Sequence, residues 1–123
     1  MAADLTNLDL DLSLLNEIAD GNNEFIIESI DLFLEQTPMS LQEASSAFEN
    51  RDWAAAAATT HKMKATLGFF GMLNCQALIQ QIELACKADS PDVTEIVSKF
   101  NQVQAILAAN ISALKQIKAE TKA

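Results

Sequence analysis

The sequence has no tyrosine, three glycines, two prolines, two cysteines and one histidine in 123 residues. Folds built on tight turns draw heavily on Gly and Pro, so their scarcity beside long Ala- and Leu-rich stretches argues for helices. Basic residues are also few: 8 Lys+Arg stand against 17 Asp+Glu, a formal net charge of −9, and no basic run occurs. Nucleic acid and anionic membrane both need clustered Lys and Arg, so neither is an expected partner. The uncharged stretch from Ala65 to Ile82 is interrupted by Gly68, Gly71, Asn74, Gln76, Gln80 and Gln81 and does not read as a membrane span. Met1-Ala2-Ala3-Asp4 lacks the basic start and apolar run of a signal peptide, and a cytoplasmic location is expected. Cys75 and Cys86 lie 11 residues apart in one predicted helix. That puts them roughly 16 Å apart, which excludes a disulfide and leaves them as small core residues. Their spacing matches no metal motif.

Half of the residues are hydrophobic and 20% are charged, enough to close one core, and residues 1–123 are read as a single domain. Leu5 to Leu12 read as an extended lead-in, followed by a short helix from about Ser13 to Asp20 closed by Gly21. Asn22 or Asn23 caps a second helix with Ile26, Ile30, Phe33, Leu34, Leu41, Ala44 and Phe48 largely on one face. Pro38 within it is expected to kink or split it. Asp52 caps a third helix, buried along Trp53, Ala56, Thr60, Met63 and Leu67 and ending at Gly68 to Gly71. A fourth runs from about Met72 to Ala88. Ser90-Pro91-Asp92 starts the fifth, with Ser90 as N-cap and Pro91 in its first turn. Short connections between helices of similar length predict an all-α fold, an antiparallel four-helix bundle with a short additional N-terminal helix across one end.

His61, the lone histidine, falls roughly 120° from the middle of the buried stripe of its helix and so faces solvent. Its neighbours one turn away are Ala57, Ala58, Lys64 and Ala65, with Gly68 a further turn on. The imidazole stands on a bare patch that a partner's surface can approach, with one cation beside it.

These residues resemble the signature of the histidine-containing phosphotransfer (HPt) domains of bacterial and related phosphorelays, His-x-Leu/Met-Lys-Gly-Ser/Ala with a glycine ten residues after the histidine. Here the segment is His61-Lys62-Met63-Lys64-Ala65-Thr66 with Gly71 in that place. Asp52 precedes the histidine by nine as the family's Gly-Asp does, Phe33 and Thr37-Pro38 match a Phe-x-x-x-Thr-Pro segment, and Ile82-Glu83 replaces the usual Leu-Glu. Ala65 departs from the usual glycine and keeps the site small.

The resemblance implies that His61 carries a phosphoryl group on Nε2, exchanged with aspartates of receiver domains, a hybrid sensor kinase being a further expected partner. Lys64 is then a source of charge stabilisation, the other reading being an ordinary solvated lysine. Lys62 points elsewhere on the helix. Glu83 stands where the family places an acid or amide near the histidine. Two readings are open for it: an orienting partner for Nδ1–H, or a solvated glutamate. Ala57, Ala58, Ala65 and Gly68 form the expected docking patch, and Gly71 is a structural motif residue. The chain has no Gly-rich phosphate loop, no Walker-type Lys-Ser/Thr and no acidic Mg²⁺ constellation, so ATP binding and autokinase activity are not expected. The resemblance assigns Mg²⁺ to the partner receiver domain, and no cofactor is expected on this monomeric chain. A catalytically silent helical interaction module is the alternative. A hydrolase using His61 as base has no candidate nucleophile or oxyanion donor beside it.

Overall fold

The computed structural model describes residues 8–121. They form α1 (Ser13–Ala19), α2 (Asn23–Glu49), α3 (Trp53–Phe69), α4 (Leu73–Cys86) and α5 (Val93–Glu120). Helices α2 to α5 pack in a ring, α2 on α3, α3 on α4, α4 on α5 and α5 back on α2, while α1 rests on α2. Asp31, early in α2, pairs with Lys118, late in α5, so these long helices run antiparallel. The bundle is the one expected from the short connections. Residues 5–7 of the expected lead-in lie outside the described residues. Among the described residues no helix is long and apolar enough to cross a membrane.

Capping chemistry sets the helix starts. Asn22 is the cap of α2, its Oδ1 accepting from the Phe25 N–H at 3.1 Å, and Asp52 does the same for α3 with Ala55 at 3.1 Å. The start of α5 differs from expectation: Asp92 is the cap, accepting from Glu95 N–H at 3.1 Å, and Pro91 precedes the helix. The carboxylate wins over the Ser90 hydroxyl because it brings negative charge to the positive end of the helix. At the other end of the sequence, α1 stops at Ala19, and Asp20 (φ 49°) and Gly21 (φ 83°) turn the chain in the left-handed region.

α2 passes through Pro38 as one helix of 27 residues and is not split. The missing N–H and the ring's clash with the preceding turn cost about 3 kcal/mol. Side chains buried on both sides of the proline offset this, Ile30 and Phe33 before it and Ala44 and Phe48 after it, each large one contributing about 1.5–3 kcal/mol. Aromatic rings knit the core across helices: Phe33 meets Phe70 at 4.8 Å between centroids, and Phe48 meets Phe100 edge-on at 5.0 Å.

α4 begins without a cap of its own, since Met72 makes no side-chain bond to the first turn. A residue far away in sequence supplies one. The Asp9 carboxylate accepts from Asn74 N–H at 2.9 Å and from Cys75 N–H at 2.7 Å, and its carbonyl accepts from the buried Asn110 side chain at 2.9 Å. Asp11 N–H then donates to the Phe70 carbonyl at 3.0 Å. This strap presses on the α3–α4 turn at Gly71, whose φ is 66° and where a Cβ would collide with the Asp11 backbone. Gly71 is therefore structural, both for its left-handed backbone and for the closeness of the strap.

Gly21 also has positive φ but nothing within 4 Å of a Cβ built on it. Gly21→Ala should thus cost about 1 kcal/mol through the backbone alone, and Gly71→Ala at least about 2 kcal/mol, because it also dislodges the strap. Chemical denaturation of the two variants separates these contributions. Equal losses would show that the strap's approach to Gly71 contributes nothing to stability.

Candidate functional site

Two polar stripes face each other where α3 meets α4. On α3 the stripe is His61, Lys64 and Gly68; on α4 it is Gln76, Gln80 and Glu83, continued by Lys87 at the helix C-cap. The spacing of three and four residues puts each set on one helix face. The helices run antiparallel, so His61 meets Glu83, Lys64 meets Gln80 and Glu83, and Gly68 meets Gln76.

Glu83 is the centre of this contact. Its side chain is 3% exposed, whereas that of His61 is 68% exposed. His61 Nδ1 lies 3.0 Å from Glu83 Oε2, Lys87 Nζ lies 2.9 Å from the same oxygen, and Lys64 Nζ lies 2.7 Å from Oε1. A buried carboxylate without partners would be driven to its neutral form. Here Lys64 holds the Glu83 carboxyl down, to about 2, with Lys87 and His61 adding to the effect, against the burial that pushes it up. An ionised carboxylate only accepts hydrogen bonds, so the nitrogen facing it carries the proton. In the neutral ring Nε2 is then the unprotonated nitrogen, on a side chain open to solvent.

Of the residues singled out in the sequence, the fold brings His61, Lys64 and Glu83 together. Of the two readings of Glu83, the solvated one is excluded by its burial. Lys64 is not a freely solvated lysine either: its ammonium is also 2.6 Å from Gln80 Oε1. Ala58 and Ala65 are exposed on α3 as expected. Ala57 is not. It is 7% exposed, because it lies one turn before His61 on the side of α3 that faces α4, and α3 is flanked by helices on two sides. Gly68 is half-buried, and a Cβ there would meet the Gln76 amide, which donates to the Lys64 carbonyl at 2.9 Å. Its smallness makes room for Gln76 as well as for any partner. Gly71 lies in the turn, away from this cluster.

Gln76, Gln80 and Lys87 were missed in the sequence. The available signal was their spacing around Glu83, which writes a polar stripe about 100° round the helix from the apolar stripe of Cys75, Ile79, Ile82 and Cys86. Both cysteines are free and buried. Burial, with the charge of Asp9, pushes the Cys75 thiol up to about 12; burial, with the charge of Glu83, pushes Cys86 up to about 11. Thiols so raised are not nucleophiles at neutral pH. Among the described residues no group of three or more His, Cys, Asp or Glu side chains is placed to hold a metal ion.

The depressed Glu83 value makes stability depend on pH. The contribution of ionised Glu83 is fully present above its unfolded value, near 4.5, and is lost as pH falls toward about 2. Its size is on the order of 3 kcal/mol. Glu83→Gln should remove this dependence, so the stability gap between wild type and variant narrows as pH is lowered through that window. Denaturation curves that stay parallel from pH 7 to pH 2 would contradict an ionised, ion-paired Glu83.

The family model of the Hpt domain matches residues 28–117, a span that takes in all of α3 and α4. Among solved structures, the HPt domain of the Hpt sensor hybrid histidine kinase from Shewanella has the same fold. It matches at a TM-score of 0.76 and 24% identity, covering 94% of this chain and 97% of that one. No curated protein matches the chain. A family match across most of the bundle, centred on the helix pair that holds His61 and Glu83, settles the assignment: the chain belongs to the Hpt domain family, the histidine phosphotransfer modules of phosphorelays.

Proposed function

We propose that this protein is a phosphorelay intermediate that takes a phosphoryl group from the aspartyl-phosphate of one receiver domain onto His61 Nε2 and passes it to the aspartate of another. The observation that carries this reading is the His61–Glu83 pair: Nδ1 tied at 3.0 Å to a buried carboxylate, with the rest of the ring exposed. In the forward step the Nε2 lone pair forms the P–N bond while the P–O bond to the donor aspartate breaks, its electron pair staying on the carboxylate. Positive charge grows on the ring as this happens, and Glu83 beside Nδ1–H stabilises it. Phosphoryl transfer passes through a loose transition state, so positioning and charge are what a protein supplies. Lys64, one turn from His61, adds positive charge near the incoming group. The reading leaves Mg²⁺ and the aspartate to the receiver. It also expects a monomer in the cytoplasm, with a hybrid sensor kinase as one source of phosphoryl groups.

His61→Gln should abolish acceptance of label from a phosphorylated receiver while changing stability by no more than about 0.5 kcal/mol, because the site is exposed. Acid-labile, alkali-stable label appearing on the variant at the wild-type rate would exclude His61 as the carrier. Absence of label on the wild type itself, with every receiver tried and with phosphoramidate, would leave the silent interaction module.

Access is tested separately. Ala58 and Ala65 are exposed on the helix that carries His61, so Ala65→Glu or Ala58→Glu should block transfer from a receiver with little change in melting temperature. Phosphoramidate, which needs no docking surface, should still label both. Normal receiver-dependent transfer in both variants would move the docking face to another part of the bundle.

A further inference from the structure

Glu83 has two cations, and they are held differently. Lys64 is 24% exposed and clamped between Glu83 Oε1 and Gln80 Oε1, at 2.7 and 2.6 Å. Lys87, at the end of α4, is 57% exposed and reaches Glu83 Oε2 at 2.9 Å, the same oxygen that faces His61 Nδ1. Both groups touch one oxygen, so the ammonium of Lys87 and the imidazole nitrogen lie within about 6 Å of each other.

That geometry bears on a conflict built into the site. A carboxylate on Nδ1 orients the ring, but it also favours the imidazolium, and an imidazolium has a proton on Nε2 and no lone pair there for phosphorus. Positive charge on the same carboxylate oxygen opposes this. The charged groups that face the ring are Lys64 from α3 and Glu83 and Lys87 from α4. The remaining nearby cation, Lys62, lines the groove between α2 and α3 instead. Lys64 offsets the carboxylate at Oε1, and Lys87 offsets it at the oxygen the histidine uses.

We propose that Lys87 is a positioning residue of this site, placing a second positive charge on Glu83 so that the carboxylate orients the His61 ring without holding a proton on Nε2. It touches neither the reacting nitrogen nor the phosphoryl group and acts through Glu83. The proposal rests on the phosphotransfer reading for its purpose, but its electrostatic content is measurable without any phosphoryl donor.

His61 is the only histidine in the chain, so its ring signals in an NMR pH titration are unambiguous. Lys87→Met should move the titration midpoint of His61 to higher pH by about half a unit, the size of a unit charge at about 6 Å in a water-like dielectric. Lys87→Arg, which keeps the charge, should restore the wild-type midpoint. The pH–rate profile for phosphoramidate labelling should shift upward by the same amount in Lys87→Met. Lys87 is more than half exposed, so circular dichroism should show both variants folded. An unmoved midpoint in Lys87→Met, or a shift that Lys87→Arg does not reverse, would overturn the proposal. Failure of phosphoramidate to label wild-type protein would instead overturn the phosphotransfer reading, leaving the titration result standing.

Discussion

A carboxylate buried to 2% exposure is the constraint around which this molecule is arranged. An unpaired charge in that position would cost several kcal/mol, so Glu83 is tolerable only if donors surround it. Lys64 and His61 come from α3 and Lys87 from α4, so the carboxylate is satisfied only when the two helices sit in one register. A slip of α4 by a turn would put Gln80 or Lys87 opposite His61 and leave Lys64 without its carboxylate partner. The same contact that makes Glu83 affordable therefore fixes the orientation of the imidazole.

Register also depends on what happens at the other end of α4. The α3–α4 connection is only a few residues long, and its tightness comes from the left-handed Gly71. The helix that follows has no local cap, and Asp9 provides the missing acceptor from 65 and 66 positions away in sequence. A negative charge at that helix end is favourable and bidentate, which pins the first turn of α4 in both direction and height. Further along α4 this pinned helix delivers Gln80 and Glu83 to α3, with Lys87 beside Glu83 at its end. The placing of Glu83 beside the exposed histidine thus leans on an N-terminal segment whose Asp9 caps the far end of the same helix.

Local features were legible in the sequence, and features that join distant segments were not. Asn22 and Asp52 cap their helices through amides three residues on, so the signal and its partner share one short window. The stripe of α2 and the exposure of His61 follow from helical period alone. Asp92 displaced Ser90 because the residues on either side of Pro91 offered rival caps, and the choice turns on charge at the helix end. Pro38 predicts an interruption because its local cost is evident in the sequence, while the packing that outweighs it comes from other helices. Ala57 was grouped with Ala58 because a helical wheel treats α3 as buried on one side, whereas two neighbouring helices bury a wider arc. Lys87 and Gln80 show in the sequence only as a polar spacing around Glu83, and that spacing gains its meaning from the burial of Glu83 against α3.

Small residues around His61 illustrate how one residue type serves two causes. Ala58 and Ala65 are exposed and keep the approach to the ring open. Ala57 is buried, and Gly68 leaves space into which the Gln76 side chain crosses to reach the Lys64 carbonyl. This amide braces the backbone of α3 next to the histidine, in the same way that Gln80 braces the Lys64 ammonium. Rigidity on the side facing α4 and emptiness on the side facing solvent are complementary requirements. On the phosphotransfer reading proposed above, another protein's aspartate has to reach His61, so whatever holds the ring in place has to come from beneath. The division of His61 into an anchored Nδ1 and an open Nε2 is the atomic form of that requirement.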